Sequence, residues 1–71
     1  MHFVVNGQLR EFPQLTAGAQ ILDLIAVLEL KGDRLAIEHN GNIVPRSAWG
    51  ATALGEGDRL ELVHFVGGGW L

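Results

Sequence analysis

His2-Phe3-Val4-Val5-Asn6-Gly7-Gln8-Leu9-Arg10-Glu11-Phe12 opens the chain as two short β-prone segments around Asn6-Gly7. Asn-Gly between apolar strands is the strongest short-range hairpin signal, because both residues tolerate the positive φ that a type I′ turn needs. Alternation assigns Phe3, Val5 and Phe12 to a buried face and sends His2, Val4 and Arg10 outward. The same signal returns downstream. Residues 34–39 read as a third strand, and Asn40-Gly41 precedes a short one at Asn42-Ile43-Val44.

Between the two hairpins, Pro13 ends the second strand and Thr16 offers a cap or turn. From Ala19 to Leu30 the apolar residues Ile21, Leu22, Leu24, Ile25 and Leu28 recur at three- and four-residue spacings, the stripe of an amphipathic helix. Gly32 is placed to take a left-handed C-terminal cap. Asp23 and Glu29 lie off the stripe and read as solvated charges. After the second hairpin, Pro45 fits the first position of a short helical turn, and Trp49 supplies a large apolar anchor that packs beneath the sheet. Residues 50–57 are rich in turn formers. Glu56-Gly57-Asp58 then leads into a final strand in which Leu60 and Leu62 face the core, with Glu61 and Val63 opposite.

This order predicts an α+β fold, a mixed sheet of four to five strands with one helix packed on one face. It is the ubiquitin-like β-grasp order. Residues 1–66 are expected to form the β-grasp domain, followed by a tail at 67–71.

Composition narrows the function. Seventy-one residues make one domain, and a chain this short buries only about 60% of the surface it exposes when unfolded. With no cysteine there is no disulfide, thiolate metal site or cysteine nucleophile. An apolar content of 48% with a net charge of −3 describes a mildly acidic globular domain, unsuited to phosphate backbones. No nucleic-acid partner is expected. The longest apolar run is too short to span a bilayer and the first residues lack the pattern of a signal peptide, which makes a cytoplasmic location the expectation.

Catalytic constellations fail on inspection. His2, His39 and His64 fall on three different strands, so a three-histidine metal site would need strand geometry that spacing does not supply, and no metal is expected. Ser47 has no nucleophile elbow around it. Gly67-Gly68-Gly69 is followed by no helix start and no Lys-Ser/Thr pair, so it is not a phosphate loop. No catalysis by the chain's own residues is expected. Three consecutive glycines after a strand have either the ordinary origin of frayed chain ends or a use for backbone with no side chains.

Asn6-Gly7, the segment Asn40-Gly41-Asn42-Ile43-Val44-Pro45-Arg46 with Trp49 after it, and the close from Gly57-Asp58-Arg59 to His64-Phe65-Val66-Gly67-Gly68-Gly69 together resemble ThiS, the small sulfur carriers of thiamine biosynthesis. The resemblance implies a protein co-substrate rather than an enzyme. In such carriers the terminal glycine is adenylated with ATP by a ThiF-like adenylating enzyme. It then becomes a thiocarboxylate with sulfur from a donor and passes that sulfur to thiazole synthase. No cofactor is held by the carrier itself; ATP and the sulfur donor serve the partner enzymes. On this chain the reactive residue is Gly69, with Gly68 as the alternative, and Gly67, Gly68 and Gly69 form a slim tail.

Trp70 and Leu71 depart from the family ending. Three readings are open: a precursor trimmed after Gly69 by a processing peptidase of the zinc-dependent JAMM type, an appendage foreign to the natural chain, or a carrier role that has been lost. Glu61, Val63 and Phe65, on the face away from Leu60 and Leu62, are the candidate docking residues. The bland alternative is that Val63 and Phe65 pack on their own sheet edge or on a neighbouring chain. Two other functions stay open: a molybdopterin-synthase small subunit using the same chemistry, and a ubiquitin-like modifier or interaction module.

Overall fold

In a computed structural model, which describes residues 1–65, both Asn-Gly pairs form the expected two-residue turns. Asn6 and Gly7 have φ of 49° and 82°, and Asn40 and Gly41 have 50° and 90°. Left-handed backbone at both central positions is the type I′ turn, whose twist matches that of the strands it joins. The first turn joins β1 (His2–Val5) to β2 (Gln8–Glu11), and the second joins β3 (Leu35–His39) to β4 (Asn42–Val44). A fifth strand, β5 (Arg59–His64), lies between the hairpins, so the sheet order is β2-β1-β5-β3-β4. β5 runs parallel to β1, with Val5 beside Leu60, and antiparallel to β3, from Leu35 beside His64 to His39 beside Leu60. The sheet is mixed, as expected.

One helix, α1 (Ile21–Val27), covers one face and buries Ile21, Leu24 and Ile25. It is shorter than the stripe implies. At its start the backbone N–H of Gln20 donates to the Asp23 carboxylate at 2.8 Å, so Asp23 is a cap and not merely a solvated charge. At its end, Glu29 takes φ of 57° while its N–H bonds the Ala26 carbonyl and that of Leu30 bonds the Ile25 carbonyl. That pair of bonds is a Schellman motif with glutamate where glycine is usual. Gly32 is therefore not the left-handed cap. It opens a 3-10 turn, Gly32–Arg34, and its need is steric: a Cβ there would lie 2.8 Å from Cζ3 of Trp49. Leu22 also leaves the stripe and is 52% exposed.

Trp49 reaches the core from a 3-10 helix, Arg46–Ala51, for which Pro45 is the preceding cap residue rather than the first helical one. The indole is buried and its Nε1–H donates to the Val44 carbonyl at 3.1 Å. Phe3, Ile21, Leu24, Ile37 and Leu60 form the fully enclosed centre, with Phe3 and Phe12 ring centroids 5.6 Å apart. Two irregular segments also contribute, through Leu15 and Leu54. The second is tied to the helix start by the Ile21 N–H to the Thr52 carbonyl and the Leu54 N–H to the Ala19 carbonyl.

The turn ahead of β5 is organised by Asp58. Partial burial opposes its charge, but the Gly55 N–H at 2.8 Å, the His39 ring at 2.7 Å and the Asn40 side chain outweigh that and hold its pKa below the usual carboxylate range.

Three substitutions test these local contacts. Replacing Glu29 by Gly removes left-handed strain of roughly 1–2 kcal/mol, against a smaller entropy cost, and should raise the melting temperature. Gly32→Ala should lower it, because overpacking against Trp49 costs about 1–3 kcal/mol. Because the folded pKa of Asp58 lies below its unfolded value, its stabilisation is complete above about pH 4 and is lost as pH falls through the folded value. In acid titrations, Asp58→Asn should flatten the stability loss below that point; a slope equal to that of the parent chain would contradict the assignment.

Candidate functional site

The candidate site is the end of β5 together with the glycines beyond it. β5 is the central strand of the sheet, and its register is fixed by side chains as well as by backbone. Asn6, already used as a turn residue, accepts the Leu62 N–H at Oδ1 (2.7 Å) and donates from Nδ2 to the Leu62 carbonyl (3.2 Å). Its amide thus continues the ladder past the point where β1 has turned away. Asn40 does the same at the other end of β5: its N–H bonds the Arg59 carbonyl and its Oδ1 accepts the Arg59 N–H, both at 2.9 Å. Two turn asparagines clamp the strand. The sequence marked both turns, but the second role depends on where β5 passes and carries no sequence signal.

Strand alternation sorts the predicted docking residues. Leu60 is fully buried and Leu62 is half-buried, on the helix side. Glu61 and Val63 are exposed on the open face, Val63 by 51%. Phe65 lies just beyond β5, half-buried, with its N–H on the Arg34 carbonyl at 2.8 Å. The first two are brought together and Phe65 is set back at the sheet end. Gly67, Gly68 and Gly69 lie outside the described residues, as do Trp70 and Leu71.

The open face carries more than the final strand suggested. Ile43 is 72% and Leu9 is 68% exposed. Ile43 stands opposite Glu38 and Leu9 opposite Val4. The register of the second hairpin, readable from Asn40-Gly41, would have placed Ile43 there. Glu38 and Glu61 sit directly opposite each other across β3 and β5. Like charges in cross-strand register are mutually unfavourable, so a cationic group placed over them would be welcomed.

The histidines serve separate local contacts. His2 bridges the carboxylates of Glu11 and Glu56, His39 binds Asp58, and the His64 Nε2 lies 3.4 Å from the Lys31 carbonyl. Glu56, fully exposed, is held below the usual carboxylate range chiefly by the backbone N–H of His2. Among the described residues no group of three or more His, Cys, Asp or Glu is arranged to hold a metal ion. Among the same residues, no helix is long and apolar enough to cross a membrane.

The clamp is testable by hydrogen exchange. Asn6→Gly keeps the turn conformation and removes the amide, two hydrogen bonds worth about 0.5–1.5 kcal/mol each. Exchange at the Leu62 N–H should accelerate while Glu61 and Val63, bonded towards β3, stay protected. Unchanged protection at Leu62 would show that the amide is dispensable.

Comparison with known proteins bears on the family. The model of the ThiS family matches residues 3–69. The crystal structure of a thiamine biosynthesis protein, ThiS, from Geobacter metallireducens superposes with a TM-score of 0.82 at 28% identity, covering 97% of this chain and 100% of that one. The sulfur carrier protein ThiS of Bacillus subtilis is 37% identical over 49 residues, 69% of this chain and 74% of its own. A thiazole synthase of Paramagnetospirillum magneticum is 38% identical over 69 residues, which is 97% of this chain and 20% of that protein. Against the thiazole synthases it matches, the chain spans a fifth of the length or less. With its β-grasp sheet, its clamped central strand and a family match running through the three glycines, the chain belongs to the ThiS family.

Proposed function

We propose that this chain is a sulfur carrier for thiazole formation in thiamine biosynthesis, and that the carboxylate of Gly69 is its working group, with Gly68 as the alternative. A ThiF-like adenylating enzyme joins that carboxylate to AMP with release of pyrophosphate. Sulfide released by a donor then attacks the acyl carbon, AMP leaves and a thiocarboxylate remains, and thiazole synthase takes the sulfur. The observation that carries this reading is the family match ending at residue 69, directly after the glycines and before Trp70 and Leu71.

Access is the physical reason for the glycines. A carboxylate that must reach an ATP α-phosphate inside another protein needs a slender lead, and residues without Cβ atoms provide one. The lead departs from the best-anchored strand of the sheet, so a partner that grips β5 knows where the tail begins. Val63 and Glu61, with Phe65 at the strand end, are the docking residues of this reading. The Glu38–Glu61 pair favours a partner that presents Lys or Arg over them.

Trp70 and Leu71 must then be removed, because the carboxylate of Gly69 is otherwise an amide carbonyl. A processing peptidase is the proposed agent. The similarity to a region of thiazole synthases supports a second arrangement, in which the carrier and the synthase share one polypeptide. There too the bond after Gly69 must be cut before sulfur can be loaded. A molybdopterin-type carrier would use the same terminus, but the ThiS matches favour thiazole synthesis.

Intact-mass analysis separates these readings. The full chain and a chain ending at Gly69 are each incubated with ATP, a sulfur donor and an adenylating enzyme of the family. The shorter chain should gain the mass difference of one oxygen replaced by sulfur, and the full chain should not. Sulfur loading on a species that retains Leu71, or none on the shorter chain with a competent enzyme, would overturn the proposal.

A further inference from the structure

α1 ends at Val27 and β1 at Val5, while β5 continues to His64. Among the described residues the helix side of the sheet is therefore uncovered around Leu62, and a cleft of about 430 Å³ opens there. Its floor is the buried pair Val5 and Leu35, and its walls are Leu28, Leu30 and Leu62, each half-buried. Arg10 stands at the rim with its guanidinium 5.2 Å from the centre of the Phe12 ring. Among the described residues it has no carboxylate partner.

The backbone adds a second feature. Residues 61 and 63 of β5 hydrogen-bond towards β3, and Leu62 towards Asn6 on the other edge. By the same alternation the N–H and C=O of His64 point to the Asn6 side, where β1 has already ended. An apolar trough, a cation and main-chain groups at a strand end thus converge beside the root of the tail, on the face opposite Glu61 and Val63.

We propose that this cleft seats an extended segment of the enzyme that takes up the tail, an apolar side chain entering between Leu28, Leu30 and Leu62 and an aspartate or glutamate meeting Arg10. The inference deepens the carrier reading and rests on it. Charge complementarity selects the occupant. The chain carries a net charge of −3 and its open face presents the Glu38–Glu61 pair, yet this rim is cationic. An acidic-apolar segment fits the cleft and is repelled by the open face, so the two faces fix the orientation in which a partner straddles β5.

The test uses the full chain with an adenylating enzyme and with a thiazole synthase, each in turn. A photo-reactive leucine analogue at position 30 should cross-link to one of them at an apolar residue within two positions of an Asp or Glu. Arg10→Glu, at an exposed position, and Leu30→Ala should each weaken binding to that enzyme by about ten-fold or more, the size of a central contact. Exchanging the cross-linked carboxylate for Lys should restore binding to Arg10→Glu. Cross-links only to residues 66–71 of the same chain or to a second copy would overturn the proposal, as would smaller losses with both enzymes. Parent-chain binding that the variants do not diminish refutes the cleft alone, whereas no binding by the parent chain to either enzyme refutes the carrier reading with it.

Discussion

The seating of β5 between β1 and β3 is the constraint on which the rest of the structure depends. A parallel pairing on one side and an antiparallel one on the other force the last strand into the middle of the sheet, where Leu60 is wholly enclosed. Neither hairpin can bury its apolar face without that strand, because an isolated two-stranded hairpin is marginal in water. The ladder on the β1 side is completed by the amide of Asn6, and the start of β5 is held by Asn40 and by the turn that Asp58 organises. In a chain whose total stability is expected to be roughly 4–11 kcal/mol, the strand nearest the glycines is thus also the one most heavily secured.

That arrangement separates two demands. On the proposed carrier role, the domain would present a fixed surface to its partner enzymes, and the residues after it would enter places that no folded surface could reach. A paired strand suits the first demand because register against β3 sets its exposed side chains: Glu61 is opposite Glu38 and Val63 is opposite Ala36. Glycines would suit the second because they carry no side chain. The unfavourable facing of Glu38 and Glu61 would be relieved by a cationic neighbour, so on the proposed reading it favours a partner rather than stability.

What the sequence could tell depended on whether a feature was local. The two hairpins were legible because Asn-Gly demands positive φ at both positions, and register came from loops of two residues. The helix was legible as an apolar stripe, but its ends were not. They depend on Asp23 reaching back to Gln20 and on a glutamate adopting the conformation usually left to glycine at residue 29. Gly32 looked like that cap because it comes after the stripe, whereas its reason for being glycine is the indole of Trp49, distant in sequence and close only in the fold. Leu22 was miscounted because a residue beside Ile21 sits at the margin of a helical stripe. Leu15 and Leu54 belong to segments with no period and gave no signal of burial. Within the site, Glu61 and Val63 were placed by alternation. Ile43 was missed because no face was assigned to the short strand at 42–44, and Leu9 because Arg10 was expected outward, whereas the register sets Arg10 opposite buried Phe3 on the helix side and Leu9 opposite Val4 on the open face. The clamp of Asn6 was missed because a side chain already explained as a turn former was not asked for a second contact.

The measurement that tests the central claim most directly traces the sulfur rather than the mass. The chain ending at Gly69 is loaded with radiolabelled sulfur, freed of the loading enzyme, and mixed with thiazole synthase and the carbon substrates of thiazole formation. A sulfur carrier should lose its label to the thiazole at the rate of product formation. Label that stays on the protein, or a chain that ends up joined through glycine to lysines of other proteins, would show that this fold serves as a modifier or interaction module instead.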